Sequence, residues 1–174
     1  IVRLADCYYV TKVYPDALSF YRKAFTSNSP DKDYAHLQAG TVLSIQRKYS
    51  ESAVELDLVI RNYPQSRFLD EAMFQRAQID FEQGNYTASV AGFSRLVNTM
   101  KSSRFLPYAF VRRAASYYNL KDYNKTASDY ATVVEQFPTH PLTSEVMLPL
   151  QEALNLAGRP GDFDNYLNQF KKSN

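Results

Sequence analysis

Three tyrosines, Tyr49, Tyr86 and Tyr123, stand 37 residues apart, and their surroundings repeat with them. A small residue lies nine positions before each: Gly40, Ala77 and Ala114. Four positions earlier come His36, Met73 and Phe110. At +3, +7 and +10 from the tyrosines stand Ser52, Leu56, Val59; Ser89, Phe93, Leu96; and Thr126, Tyr130, Val133. Pro64 and Pro138 follow Tyr49 and Tyr123 at +15. An earlier copy fits the same grid through Ile1, Ala5, Tyr8, Tyr14, Ala17, Tyr21 and Ala24, with a step of 35 to the next. A fixed period of this length marks a repeat architecture. Each copy is one supersecondary unit that cannot bury its apolar face alone.

Spacings of 3, 4 and 7 place residues on one face of a helix. Each copy therefore holds two amphipathic helices, a first (A) and a second (B). The small residue lets B approach A, and the tyrosine sits at the turn over the apolar seam. Gly84 suits a left-handed cap at the A–B turn, and proline after Tyr63 and Phe137 stops the B helix for want of a donor. The reading places helices at about 1–11, 15–27, 31–46, 50–62, 67–83, 87–100, 104–120, 124–136, 142–157 and 161–172. Pro149 is expected to kink the ninth. Phe163, Leu167 and Phe170 share one face of the last helix, opposite Asp162, Asp164, Asn165, Asn168 and Lys171. It reads as a capping helix.

The expected fold class is all-α, a superhelical stack of antiparallel helix pairs. It forms a single domain over 1–174, with repeats at about 1–30, 31–66, 67–103 and 104–140, then a degenerate repeat and capping helix at 141–174. The first helix begins without a cap residue, so the chain is expected to be a fragment of a longer one.

Composition narrows the function. The 20 basic and 18 acidic residues give a net charge of +2, too little for long-range attraction to nucleic acid or an anionic membrane. No apolar run approaches the roughly 20 residues of a membrane helix. The single cysteine, Cys7, excludes an internal disulfide and leaves the redox compartment open. Cys7 is expected to be a small buried or partly buried filler. His36 falls in a core slot, and His140 lies in an exposed linker between Pro138 and Pro141. Two separated histidines and one cysteine offer no metal-ligand spacing. With no Gly-rich phosphate loop either, no catalytic, cofactor or metal residue is expected, and the chain is not expected to be an enzyme. The basic stretch of Lys101, Arg104, Arg112 and Arg113 reads as a solvated face, with contact to an acidic partner segment as the alternative.

The grid is similar to the tetratricopeptide signature W-x2-L-G-x2-Y…A-x3-F…P. The tryptophan slot holds Ile1, His36, Met73 and Phe110; the glycine slot Ala5, Gly40, Ala77 and Ala114; the next tyrosine slot Tyr8, Leu43, Asp80 and Tyr117; the alanine slot Ala17, Ser52, Ser89 and Thr126. The departures are the missing tryptophan, Asp80 and the longer period. The segments Tyr63-Pro64-Gln65-Ser66, Asp70-Glu71-Ala72-Met73-Phe74, Gly84-Asn85-Tyr86 and Phe93-Ser94-Arg95-Leu96-Val97 resemble bacterial cell-envelope members of this family, among them the periplasmic partner of the Tol–Pal system and the outer-membrane assembly lipoprotein.

That resemblance implies a protein-interaction scaffold, binding a partner peptide or domain in a concave groove lined by the A helices. The alternative is a structural module that self-associates as a homo-oligomer, or packs within a larger protein. A periplasmic or outer-membrane-associated location is implied, with the bacterial cytoplasm as the alternative. Carried over on the grid, the groove positions are Gln38, Thr41 and Ser44; Gln75, Gln78 and Phe81; and Arg112, Ala115 and Tyr118. They lack the paired lysine and asparagine that clamp a terminal carboxylate. Aromatics with an arginine suit an extended peptide or a helix instead. A solvated face is the plain alternative for each.

Overall fold

A computed structural model describes residues 1–27 and 29–173. The described residues form α1 (Val2–Val10), α2 (Tyr14–Thr26), α3 (Lys32–Ile45), α4 (Tyr49–Asn62), α5 (Leu69–Glu82), α6 (Tyr86–Thr99), α7 (Leu106–Asn119), α8 (Tyr123–Gln136), α9 (Pro141–Glu145), α10 (Met147–Leu156) and α11 (Phe163–Ser173), with a 3₁₀ turn at Pro160–Asp162 before the last. The first eight agree with the sequence reading to within two residues at each end. The contacts divide the chain into two compact units, Ile1–Ile79 and Asp80–Asn174.

The repeat tyrosines Tyr14, Tyr49, Tyr86 and Tyr123 are each the first residue of a B helix. Two positions before them the backbone turns left-handed, at Lys12, Arg47, Gly84 and Lys121, with φ of 61°, 58°, 75° and 61°. Each of these turns is built alike. The N–H after the left-handed residue reaches back to a carbonyl of the A helix, as Lys48 does to Leu43 at 2.9 Å and Asp122 to Tyr117 at 2.9 Å. The left-handed residue itself donates one carbonyl further on, as Arg47 does to Ser44 at 2.9 Å. This closes the last carbonyls of the helix. A fifth copy follows in register. Gly158 has φ 73°, Arg159 N–H reaches Leu154 O at 2.8 Å, and Pro160 stands in the tyrosine slot. The segment expected to be degenerate keeps the turn and the B-helix half of the grid, with Phe163, Leu167 and Phe170 at +3, +7 and +10, while Gln151 stands in the place of the small residue.

The linkers repeat as well. Ser29, Ser66 and Ser103 each accept with Oγ from the N–H two residues on, at 3.2, 3.0 and 3.0 Å. At the fourth position His140 Nδ1 accepts from Leu142 N–H at 3.2 Å. This side-chain mimic of a turn starts the next A helix. His140 is therefore half-buried and engaged, with its ring edge-on to Tyr108 at 5.3 Å, rather than merely exposed.

The expected kink at Pro149 takes the form of a break at Val146, between α9 and α10. Pro149 has no N–H for the Glu145 carbonyl, and its ring crowds that carbonyl. Helix resumes once Leu150 N–H bonds Val146 O at 2.8 Å.

In the first unit Ala5, Ala17, Leu18, Tyr21, Ala24, Ala35, Ala39, Val42 and Leu43 form one core, and Leu37, Leu56, Val59, Ala72 and Ile79 form the next. Gly40 makes the α3–α4 approach possible, because a Cβ there would stand 2.9 Å from Leu56. In the second unit Ala114, Tyr130, Val133, Val134, Met147, Leu150 and Leu154 are the centre, with Phe163, Leu167 and Phe170 packed on it. Burying each large apolar side chain contributes roughly 1.5–3 kcal/mol. Cys7 departs from expectation. Its thiol is exposed, because α1 turns that face outward and buries only Ala5 completely.

Candidate partner-binding face

The nine groove positions lie on α3, α5 and α7, and none is buried. In the first unit Gln38, Thr41, Ser44, Gln75 and Gln78 are half-buried. Two of them meet. The Thr41 hydroxyl lies 2.9 Å from Gln75 Oε1 and 3.0 Å from Leu37 O, and donates to one at a time. Gln75 Nε2 donates to Glu71 Oε1 at 3.3 Å.

In the second unit Phe81 and Arg112 come together. The guanidinium lies 5.6 Å from the ring centroid, a cation–π contact, while Phe81 meets Tyr86 edge-on at 5.6 Å. Tyr118 is exposed and donates to Glu152 Oε1 at 2.7 Å. Its ring is edge-on to Tyr123 at 5.6 Å, and the Glu152 bond raises its phenol above the ordinary value. Ala115 and Tyr118 line a pocket of 280 Å³ with Asn119, Tyr130, Pro149 and Glu152.

Glu152 was missed by the sequence reading, and so was Asp6. Both were within reach of the grid. Glu152 stands 37 after Ala115, and Asp6 stands 35 before Thr41. Asp6 Oδ1 accepts from Tyr21 at 2.6 Å and from Tyr34 at 3.0 Å. Burial first, then the Asp6 hydrogen bond, push the Tyr34 phenol up to about 12 and raise that of Tyr21 as well.

Two further readings change. His36 is not simply packed. It stacks on Phe25 at 3.9 Å, and its Nδ1 meets Glu55 Oε2 at 2.7 Å. Nor is the basic stretch a uniform solvated face. Arg113 forks onto Asp129 at 2.8 and 2.7 Å and donates to Ser94 Oγ at 3.0 Å. The Asp129 side chain is only 7% exposed. Burial pushes its carboxyl up while the Arg113 fork pulls it down. Lys101 Nζ donates to the Val97 carbonyl at 3.0 Å, and the Arg104 guanidinium lies 4.9 Å from the Phe105 ring centroid. Among the described residues no three His, Cys, Asp or Glu side chains gather as metal ligands, and no helix is long and apolar enough to cross a membrane.

Residues 108–140 match the tetratricopeptide repeat family model. The chain has the tetratricopeptide-repeat fold. Solved structures extend the likeness over nearly its whole length. MamA from Desulfovibrio magneticus RS-1 is 11% identical, with 98% of this chain and 91% of that one covered at a TM-score of 0.75. YrrB, described as a tetratricopeptide-repeat protein with an unusual peptide-binding site, is 16% identical over 99% and 84%, at 0.72. The tetratricopeptide-like repeats of a putative kinesin light chain from Podosopora anserina are 14% identical over 99% and 92%, at 0.71. At these identities the likeness is one of fold. A search of curated proteins returns no match.

Proposed function

We propose that this tetratricopeptide array is a protein-interaction scaffold and that its A-helix faces receive the partner, an extended peptide or a helix. The observation that carries the proposal is the accessible run on α7 and the end of α5. Arg112 over Phe81, with Tyr118 six residues on along the same helix, offers aromatic and guanidinium groups of the kind that anchor interfaces. YrrB, of like fold, is described with a peptide-binding site. The envelope location implied by the linker segments is part of the same proposal, and fractionation of source cells with an antibody to the chain tests it.

The binding test uses the chain as bait in an extract of its source cells, beside a Phe81→Ala, Arg112→Ala, Tyr118→Ala variant, with mass spectrometry of what is held. Proteins retained by the parent and lost by the variant support the A-helix face. Equal retention by both moves the binding surface elsewhere. Retention by neither removes the scaffold reading in favour of self-association or packing within a larger protein. Exposed Ile1, Leu4, Val10 and Val13 on and beside α1 favour that second reading, and light scattering across a concentration series measures it.

A further inference from the structure

α1 is an A helix, and the face it turns outward is one that the later A helices bury. On the repeat grid Cys7 corresponds to Val42, Ile79, Ser116 and Ala153, and each of these is at most 1% exposed. Leu4 corresponds to Ala39 and Arg113, and Ile1 to His36. In the later copies this face lies against the B helix before it. His36 stacks on Phe25 of α2 at 3.9 Å. Ser116 Oγ stands 3.0 Å from Ser89 Oγ of α6, and Arg113 reaches Ser94 of the same helix at 3.0 Å. On α1 the same positions are open. Cys7 is exposed, and so are Ile1, Leu4, Val10 and Val13, by 60, 45, 76 and 40%. A run of exposed large apolar side chains on a face built for helix packing marks an interaction surface.

The pattern of these residues points to what covers them. Ile1, Leu4, Cys7, Val10 and Val13 follow one another at intervals of three, a single ridge over α1 and the turn after it. The ridge is symmetric about Cys7. Turned end for end on a second copy, Cys7 meets Cys7, Leu4 meets Val10, and Ile1 meets Val13. Arg3 falls opposite Thr11 and Lys12 opposite Val2, so no like charges are set against each other. Self-complementarity of this kind is what a two-fold interface requires. The last B helix of another copy does not fit the same face. On α11 the positions by which Ser94 and Phe25 touch the next A helix are held by Asn168 and Lys171, both exposed, and a head-to-tail contact would bury them against apolar side chains. We propose that two copies of this chain pair through α1, ridge against ridge in opposite directions about Cys7. Such pairing gives the self-association reading its surface and owes nothing to the A-helix groove.

Sedimentation equilibrium over a concentration series should show monomer passing to dimer. The dissociation constant should be on the order of 100 µM, in keeping with an interface below about 1,200 Å². Leu4→Lys and Val10→Glu should each weaken pairing about tenfold, because a charge is set against an apolar neighbour. Both positions are exposed, so the fold is kept, and circular dichroism checks it. The double variant places each new lysine opposite the partner's new glutamate and should recover most of the loss. With diamide as the oxidant, Cys7 should join two parent copies through a disulfide, since the two-fold brings the thiols within bonding reach, and Leu4→Lys should suppress the link. A monomer at every concentration overturns the proposal. So do species that grow beyond the dimer, pairing indifferent to Leu4→Lys, and a double variant that stays monomeric. A Cys7 thiol that resists Ellman's reagent in the monomer would mean that another segment covers the face, and overturns it too. The bait experiment reads the groove and sedimentation reads α1, so either can fail while the other stands.

Discussion

The two units carry the same repeat grid and fill its polar positions differently. In Ile1–Ile79 one carboxylate, Asp6, serves two tyrosines from two other helices, and Glu55 on α4 meets an imidazole, His36. In Asp80–Asn174 the position of Glu55 is taken by Asp129, which meets the guanidinium of Arg113 from a different position on the A helix. The counterpart of Asp6 is Ala115, and a pocket replaces the buried tyrosine–carboxylate pair. The first unit gathers two tyrosine hydroxyls on one half-buried carboxylate. The second locks its helix pair with a permanently charged fork. The grid tolerates both because it specifies apolar contacts, while polar pairs need only some partner within reach.

The largest effect should come from the fork. Arg113→Ala should cost about 3 kcal/mol in urea unfolding of the chain, since Asp129 would be left buried and unpaired. Arg113→Ala with Asp129→Ala should recover part of the loss. If the single variant costs no more than an exposed pair would, the two units do not differ in the way described. Next, Asp6→Ala should cost about 2 kcal/mol by leaving the fully buried Tyr21 hydroxyl without an acceptor.

Titration reads the same cluster by another route. The folded pKa of Tyr34 is raised, so its contribution to stability is complete below about pH 10 and is lost as pH rises through about 12. The ultraviolet absorbance of tyrosinate should show this late ionisation, and Asp6→Asn should move it down toward the ordinary range. A smaller contrast isolates the paired position. Tyr21→Phe should cost about 1 kcal/mol, whereas Tyr130→Phe should change stability by less than about 0.5 kcal/mol, because no hydrogen bond is lost. Equal costs would place an unseen partner on Tyr130.

A further small change is shared by both units. Arg47→Gly and Lys121→Gly should each stabilise by roughly 0.5 kcal/mol. Relief of the left-handed strain outweighs the greater freedom glycine gives the unfolded chain. Gly84→Ala should do the reverse. Thermal unfolding of the three variants checks all of these shifts.

Much of this was legible without coordinates. The period located every A–B turn, because a tyrosine at the start of the B helix and a small residue facing it are demanded by close helix packing. The same period, carried on to Gly158 and Pro160, would have placed the fifth repeat. It would also have found Asp6 and Glu152, had the face positions been extended to the end copies. Other features could not be read so directly. The exposure of Cys7, the break at Val146 rather than at Pro149 itself, and the engagement of His140 each depend on which way a face turns.

By itself the sequence determined the helices, their pairing and the apolar positions that join them. These follow from periodicity, and periodicity is local along the chain. Only the tertiary structure decided that Arg113 finds Asp129 and that Tyr34 crosses to Asp6. Those pairings join residues far apart in the chain, and distance and angle in space, rather than spacing along the chain, set whether a donor meets an acceptor.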